Sequence, residues 1–294
     1  ETIEDIQGLT NENGGRLFQE NVVRQKDEIY IEKTQQVSEM VGGHPLALRL
    51  LASAFDDQVG TSLDKYIEDL QSHLPKARDK WTEEDRHESL RASFDFSMRN
   101  LVKTEEGKKL QVALSRLSVF SAPFATLFAA PVIAGKVYST EDEMNSQNEN
   151  AKKVCFSLWK HGLLEHTRIS SNEEKLNLFG LHPALRFFAK AELTDSSNVQ
   201  ADFWISMYNL ARWAEENIGK DPLTVQIVLH SLPDLLSAAE AKSDEDAAKM
   251  QHRLSHIIQQ FGLYDDALNL SEKSRAIFES LNLKREKAVV IGEM

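Results

Sequence analysis

Residues 163–179 read Leu-Leu-Glu-His-Thr-Arg-Ile-Ser-Ser-Asn-Glu-Glu-Lys-Leu-Asn-Leu-Phe. The last five, Lys175-Leu176-Asn177-Leu178-Phe179, alternate polar with apolar side chains, the two-residue period of a half-buried strand. The polar run Ser170-Ser171-Asn172-Glu173-Glu174 suits a hairpin loop joining them to residues 163–169. Elsewhere the apolar spacing is helical. Leu46, Ala47, Leu50, Leu51 and Ala54 make one stripe; Leu110, Ala113, Leu114 and Leu117 make a second. Val154, Leu158 and Trp159 form a third, Leu181, Ala184, Leu185 and Phe188 a fourth, and similar stripes run through 207–218 and 254–261. Each buried Leu or Ile contributes roughly 1.5–3 kcal/mol before entropy, so these stripes must pack on one another. Trp159 is expected inside, against Leu117 and Leu185. Thr104, followed by Glu105 and Glu106, has the chemistry of a helix start: a side-chain oxygen for free amides and carboxylates at the positive end of the dipole.

A hairpin after several helices, with a helix behind it, is the order of a winged-helix unit. The polar stretch 73–84 reads as a linker, 194–198 as a linker or a helix start, and acid-rich 139–150 as a surface loop.

The chain has 294 residues, 41% hydrophobic, with 34 Lys and Arg against 46 Asp and Glu, a net charge of −12. That length supports about two domains and a real core. The composition excludes a disordered tail, a collagen-like repeat and a disulfide-stapled scaffold. A single cysteine, Cys155, points to a reducing compartment. No apolar run approaches the roughly 20 residues of a membrane span. The acidic opening, residues 1–7, lacks the apolar core of a signal peptide, so the cytoplasm is the expected location. The negative charge disfavours nonspecific contact with nucleic acid or anionic membrane and leaves proteins as partners.

Chemistry is scarce. Gly107-Lys108, Gly135-Lys136 and Gly219-Lys220 lack both the earlier glycine and the following hydroxyl of a P-loop. His252 and His256 stand four apart, but Arg253 occupies the place of a zinc protease's glutamate and no third ligand is near in sequence, so two surface histidines and no metal are expected. Cys155, between Val154 and Phe156, reads as a buried structural thiol. Asp56-Asp57, Glu83-Glu84 and Asp265-Asp266 read as solvated faces or helix starts. No catalytic residue is expected, and this chain is not read as an enzyme.

Gly42-Gly43-His44-Pro45-Leu46-Ala47-Leu48 lies between two amphipathic segments. Two glycines can end a helix with positive φ, and proline presets φ for the first turn of the next. The stretch resembles the Gly-Leu-Pro-Leu-Ala-Leu signature of the NB-ARC family of signal-transducing NTPase switches in death and immunity proteins. Gly8-Leu9-Thr10, then Gly15-Arg16-Leu17-Phe18, resembles the family's passage from nucleotide-binding core to helical domain. Residues 88–94 and 114–120 resemble the opening helices of its winged-helix domain. Gly180-Leu181-His182-Pro183-Ala184-Leu185-Arg186 stands at the place of its Met-His-Asp motif. Pro183 replaces the motif's Asp, and His44 replaces the signature's Leu. Phe261-Gly262-Leu263-Tyr264-Asp265-Asp266-Ala267-Leu268 resembles the corner of a tetratricopeptide repeat, with Ser271 and Ser274 where larger residues are usual.

The resemblance implies a mainly α chain: a helical bundle over 1–80, a winged helix with a short β-hairpin over 81–195, and truncated antiparallel helical repeats, tetratricopeptide-like, over 196–294. It implies a regulatory fragment of an ADP/ATP-dependent switch in defence, cell-death or stress signalling, whose P-loop domain lies outside this chain. Pro45 would lie beside the adenine and His182 would approach the β-phosphate. Read from the residues alone, His182 is equally a helix-capping histidine. ADP or ATP would bind tightly only with the missing domain present. Implied partners are that domain, a protein ligand of the repeats, and further copies when the switch is active. Two alternatives stand beside this: a winged-helix transcriptional regulator, with Lys152, Lys153, Lys160, Arg168 and Lys175 meeting phosphates, and a helical protein-interaction scaffold.

Overall fold

The computed structural model describes residues 8–23, 31–75, 81–171 and 174–293. Asn172 and Glu173 of the expected hairpin loop, the acidic opening, and residues 76–80 of the first expected linker lie outside the described residues. The fold is mainly helical, with fourteen helices and one small three-stranded antiparallel sheet among the described residues. The chain divides into two compact units, 1–114 with 156–164, and 115–155 with 165–294.

The first unit holds α1 (Asn11–Asn21), α2 (Ile31–Met40), α3 (Pro45–Asp57), α4 (Leu63–His73), α5 (Glu83–Leu101) and most of α6 (Glu105–Leu117). α1 packs on α2 and α3, and α5 covers α3 and α4. Its core is a relay of rings: Phe18 to Phe55 at 6.1 Å, Phe55 to Tyr66 at 4.9 Å, and Tyr66 to Phe96 at 5.7 Å. The buried Tyr66 hydroxyl donates to the Leu51 carbonyl at 2.6 Å, which settles its one polar atom. The starts of these helices follow their sequence. Thr10 caps α1, Ser62 caps α4, and Thr82 with Asp85 closes a reciprocal capping box on α5. Thr104 caps α6 through the Gly107 amide at 2.9 Å, as its sequence predicts. Gly14 and Gly15 are buried in mid-helix, where a Cβ on Gly14 would sit 2.0 Å from Ser38 Oγ; α1 and α2 therefore approach backbone to side chain.

The second unit contains β1 (Phe124–Ala125), α7 (Thr126–Ala134), most of α8 (Glu141–Lys160), β2 (Glu165–Ser171), β3 (Glu174–Gly180), α9 (Pro183–Ala191), α10 (Ser196–Asn217), α11 (Pro222–Glu240), α12 (Glu245–Gln259), α13 (Tyr264–Ser280) and α14 (Lys284–Glu293). The sheet runs β1-β3-β2, with Phe124 opposite Phe179 and Glu165 opposite Gly180. The two longer strands are the predicted hairpin with shifted bounds: β2 begins at Glu165, and Ser170, Ser171 and Glu174 of the expected loop are paired strand residues. β1 is not predicted, because its two residues open an apolar run that reads as helix. Residues 139–150 are not a loop. Thr140 Oγ1 accepts from the Glu143 amide, the Glu143 carboxylate accepts from the Ser139 amide, and three acids fill the first turn of α8.

α10 packs on α7, α11 and α12, and α13 lies along α12 and α14. Gly262, at φ 78°, ends the turn between α12 and α13. Ser274 and Ser271 are not gaps in the α12–α13 seam: Ser274 Oγ donates to the Ala248 carbonyl at 2.8 Å, and Ser271 Oγ to Ser255 Oγ at 3.0 Å.

Candidate functional site

The Gly42–Pro45 turn is the most constrained backbone of the first unit. α2 stops with Gly42 at φ 57° and Gly43 at φ 64°, and the Gly43 amide reaches back to the Ser38 carbonyl at 2.9 Å. His44 is the N-cap of α3 without a side-chain cap bond, and Pro45 takes the first helical position, exposed to solvent. Two neighbours hold the turn. The Leu9 amide donates to the Gly43 carbonyl at 3.0 Å, and the Trp81 indole covers Gly42 so closely that a Cβ there would lie 2.4 Å from the ring. A Cβ on Gly8 or Gly43 would meet the opposing backbone at 2.0 Å. Gly8-Leu9 and Gly42-Gly43, singled out separately in the sequence, form one joint.

In the second unit His182 is the N-cap of α9, half-buried, with Pro183 behind it at the first helical position. Its Nδ1 accepts from the Ala184 amide at 3.3 Å, which leaves Nε2 outside the cap. The capping reading of His182 is thus realised in the backbone. Pro45 and His182 belong to different units.

Each unit also has a cleft. That of the first, about 630 Å³, lies among the ends of α1, α3 and α8. In it His161 Nδ1 pairs with Asp57 at 2.9 Å, the Val23 amide donates to Asp56 at 2.8 Å, and Ser53 gives its hydroxyl proton to the Lys160 carbonyl. Ser53, His161 and Asp57 share the cleft, but Ser53 is committed to a carbonyl rather than to the imidazole. Trp159 lines this cleft at 37% exposure, against the core position expected of it, with its ring edge-on to Phe156 at 6.2 Å. Its neighbour in the stripe, Leu158, takes the buried place instead.

The cleft of the second unit, about 490 Å³, has Asp234 of α11 at its floor. The Asp234 carboxylate accepts from the Ser121 amide at 2.9 Å, the Ser121 hydroxyl at 2.5 Å and the Ala122 amide at 3.1 Å. Burial still pushes its carboxyl above the usual carboxylate range, against those bonds and the charge of Arg186. The rim carries Arg186, Phe187 and Lys190 of α9. Sequence reading passed over these residues, although Phe187 lies outside the Leu185–Phe188 stripe and was the visible signal.

Cys155 is fully buried, and desolvation pushes its thiol up to about 12. His252 and His256 bring their rings to 4.6 Å on α12. Among the described residues no group of three or more His, Cys, Asp or Glu is placed to hold a metal ion. No helix among them is long and apolar enough to cross a membrane. No protein-family model matches the chain, and no curated protein sequence matches it.

Proposed function

We propose that this chain is the helical and regulatory part of an ADP/ATP-dependent signalling switch of NB-ARC type, acting with a P-loop domain encoded beside it. The observation that carries the reading is the joint of Leu9 with Gly43. Two stretches resembling successive family landmarks meet backbone to backbone, in a geometry that only glycine fits. The sheet order β1-β3-β2, with α7 and α8 between β1 and β2 in the chain, supports the winged-helix reading. The paired helices of 196–293, with a positive-φ glycine at the α12–α13 corner, are consistent with degenerate tetratricopeptide-like repeats. Pro45, exposed at the start of α3, offers an apolar pyrrolidine ring to an adenine, and His182 Nε2 a proton to a phosphate oxygen. Nucleotide then biases the switch only by binding its closed and open states with different affinity. The repeats take a protein ligand, and the open state assembles with its own copies.

The gene on the 5′ side of the Glu1 codon provides the first test. A Gly-x-x-x-x-Gly-Lys-Ser/Thr sequence within about one domain length is expected, and its absence overturns the reading. Calorimetry provides the second. The 294 residues alone lack the amides, lysine and magnesium ligands of a phosphate site, so they bind ADP no better than millimolar, whereas the lengthened chain retains it. His182→Ala in the lengthened chain removes one hydrogen bond to a charged group, about 1.5–3 kcal/mol, and weakens retention accordingly. Wild-type retention in that variant removes His182 from the nucleotide site.

The regulator of transcription is the weaker reading. Lys152 is committed to Glu149 at 2.6 Å, on a helix whose first turn holds three acids.

A further inference from the structure

α9 has two working faces. Leu185 and Phe188 of its predicted stripe are buried, together with Ala189, while Leu181 and Ala184 are half-buried. Pro183, Arg186, Phe187 and Lys190, spaced i, i+3, i+4 and i+7, form a second stripe along the 490 Å³ cleft, whose far wall includes Phe203 of α10. Phe187 is 66% exposed there, an apolar ring held in water beside an open cavity. With 46 acids to 34 bases, several cations of the second unit are answered from within it: Arg116 by Asp202, Lys136 by Glu143, Arg253 by Glu215, Lys273 by Glu240. Arg186 and Lys190 make no ion pair among the described residues. Asp234, which lines the same cleft, has both carboxylate oxygens occupied by Ser121 and Ala122.

We propose that this cleft binds an acidic peptide segment of a partner protein, its carboxylate or phosphate between Arg186 and Lys190 and an adjacent apolar side chain between Phe187 and Phe203. The volume falls in the range of about 300–1,000 Å³ typical of ligand sites, with a few polar groups beside apolar walls. Paired basic side chains are the usual receptors for such anions. A net charge of −12 repels an extended polyanion such as a nucleic acid, whereas one or two acids on a short segment meet only the local cations. Neither Pro45 nor His182 lines this cleft, so its test does not rest on the nucleotide reading.

An array of eight-residue peptides, with Glu, phosphoserine, Gln or Lys fixed at the centre and degenerate flanks, tests the site with the labelled full chain. Selection of Glu or phosphoserine over Gln, with Leu or Phe favoured next to it, is the expected result; the Glu and phosphoserine arms separate carboxylate from phosphate. Lys190→Glu and Phe187→Ala, both at exposed positions, lower the selected signal at least about tenfold while leaving the melting temperature near wild type. No preference for an acidic centre, a preference for Lys, or selection that survives both variants overturns the proposal.

Discussion

Leu9 donates its backbone amide to the carbonyl of Gly43 at 3.0 Å, and Gly43 is held at φ 64° so close to Leu9 that no side chain fits between them. Gly262 shares the positive φ, at 78°, but faces open space. The pair separates conformational strain from collision. Gly262→Ala pays only the left-handed penalty, about 1–2 kcal/mol. Gly43→Ala adds a Cβ 2.0 Å from the Leu9 carbonyl oxygen and costs clearly more. Thermal melts of the two variants measure the difference; equal costs mean that residues 8–9 do not pin the turn.

Asp234 predicts a pH dependence of defined sign. Its folded pKa lies above the ordinary carboxylate value, so its contribution to stability is fullest when protonated and declines as pH rises through the folded pKa. Asn at this position cannot titrate and turns an NH₂ toward amides that need an acceptor, a loss of about 1–3 kcal/mol. The destabilisation by Asp234→Asn is therefore larger near pH 3.5 than near pH 7. Denaturant titrations of both proteins at the two pH values decide it, and a larger penalty at neutral pH contradicts the burial argument.

Cys155 is shielded by the fold and kept as a thiol at neutral pH. Iodoacetamide at pH 8 leaves the native chain unlabelled over hours and modifies it as denaturant unfolds it. Rapid labelling of the native chain shows that α8 opens around this position.

Trp159 and Phe188 make a contrast in energy. Trp159, at 37% exposure, keeps part of its ring in water, so Trp159→Ala costs about 2–3 kcal/mol. Phe188, at 1% exposure, leaves a cavity, and Phe188→Ala costs about 3–5 kcal/mol. Urea melts rank the two, and a larger loss at Trp159 contradicts its surface position.

What could be read from the sequence was local. Thr104, Pro45 and the glycines at 42–43 act on their own neighbours in the chain, and their roles were visible in residue type and spacing. The 174–180 strand was visible because its period differs from everything around it. β1 was hidden, since two apolar residues carry no period, and they become a strand only because Phe179 lies opposite Phe124. α8 was misread because its first turns are polar, and propensity gave way to capping at Thr140 and Glu143. The floor of the second cleft depends on Asp234 meeting Ser121 across 113 residues, which no local pattern announces. Trp159 shows the limit of stripe reading: helical spacing assigns a face, and only packing says where that face ends.

The buried glycines of α1 bear on the order in which this molecule assembles. Asn11-Glu12-Asn13-Gly14-Gly15 is a poor helix on its own, each glycine costing about 1 kcal/mol relative to alanine. The same glycines admit α2 to the helix surface, Gly14 facing Ser38 and Gly15 facing Thr34 and Gln35, so the feature that weakens α1 alone lets it dock. α1 is thus a helix conditional on its neighbour. In hydrogen exchange its amides are therefore expected to open together with those of α2, and a substitution that loosens α2 to lower the protection of α1 as well.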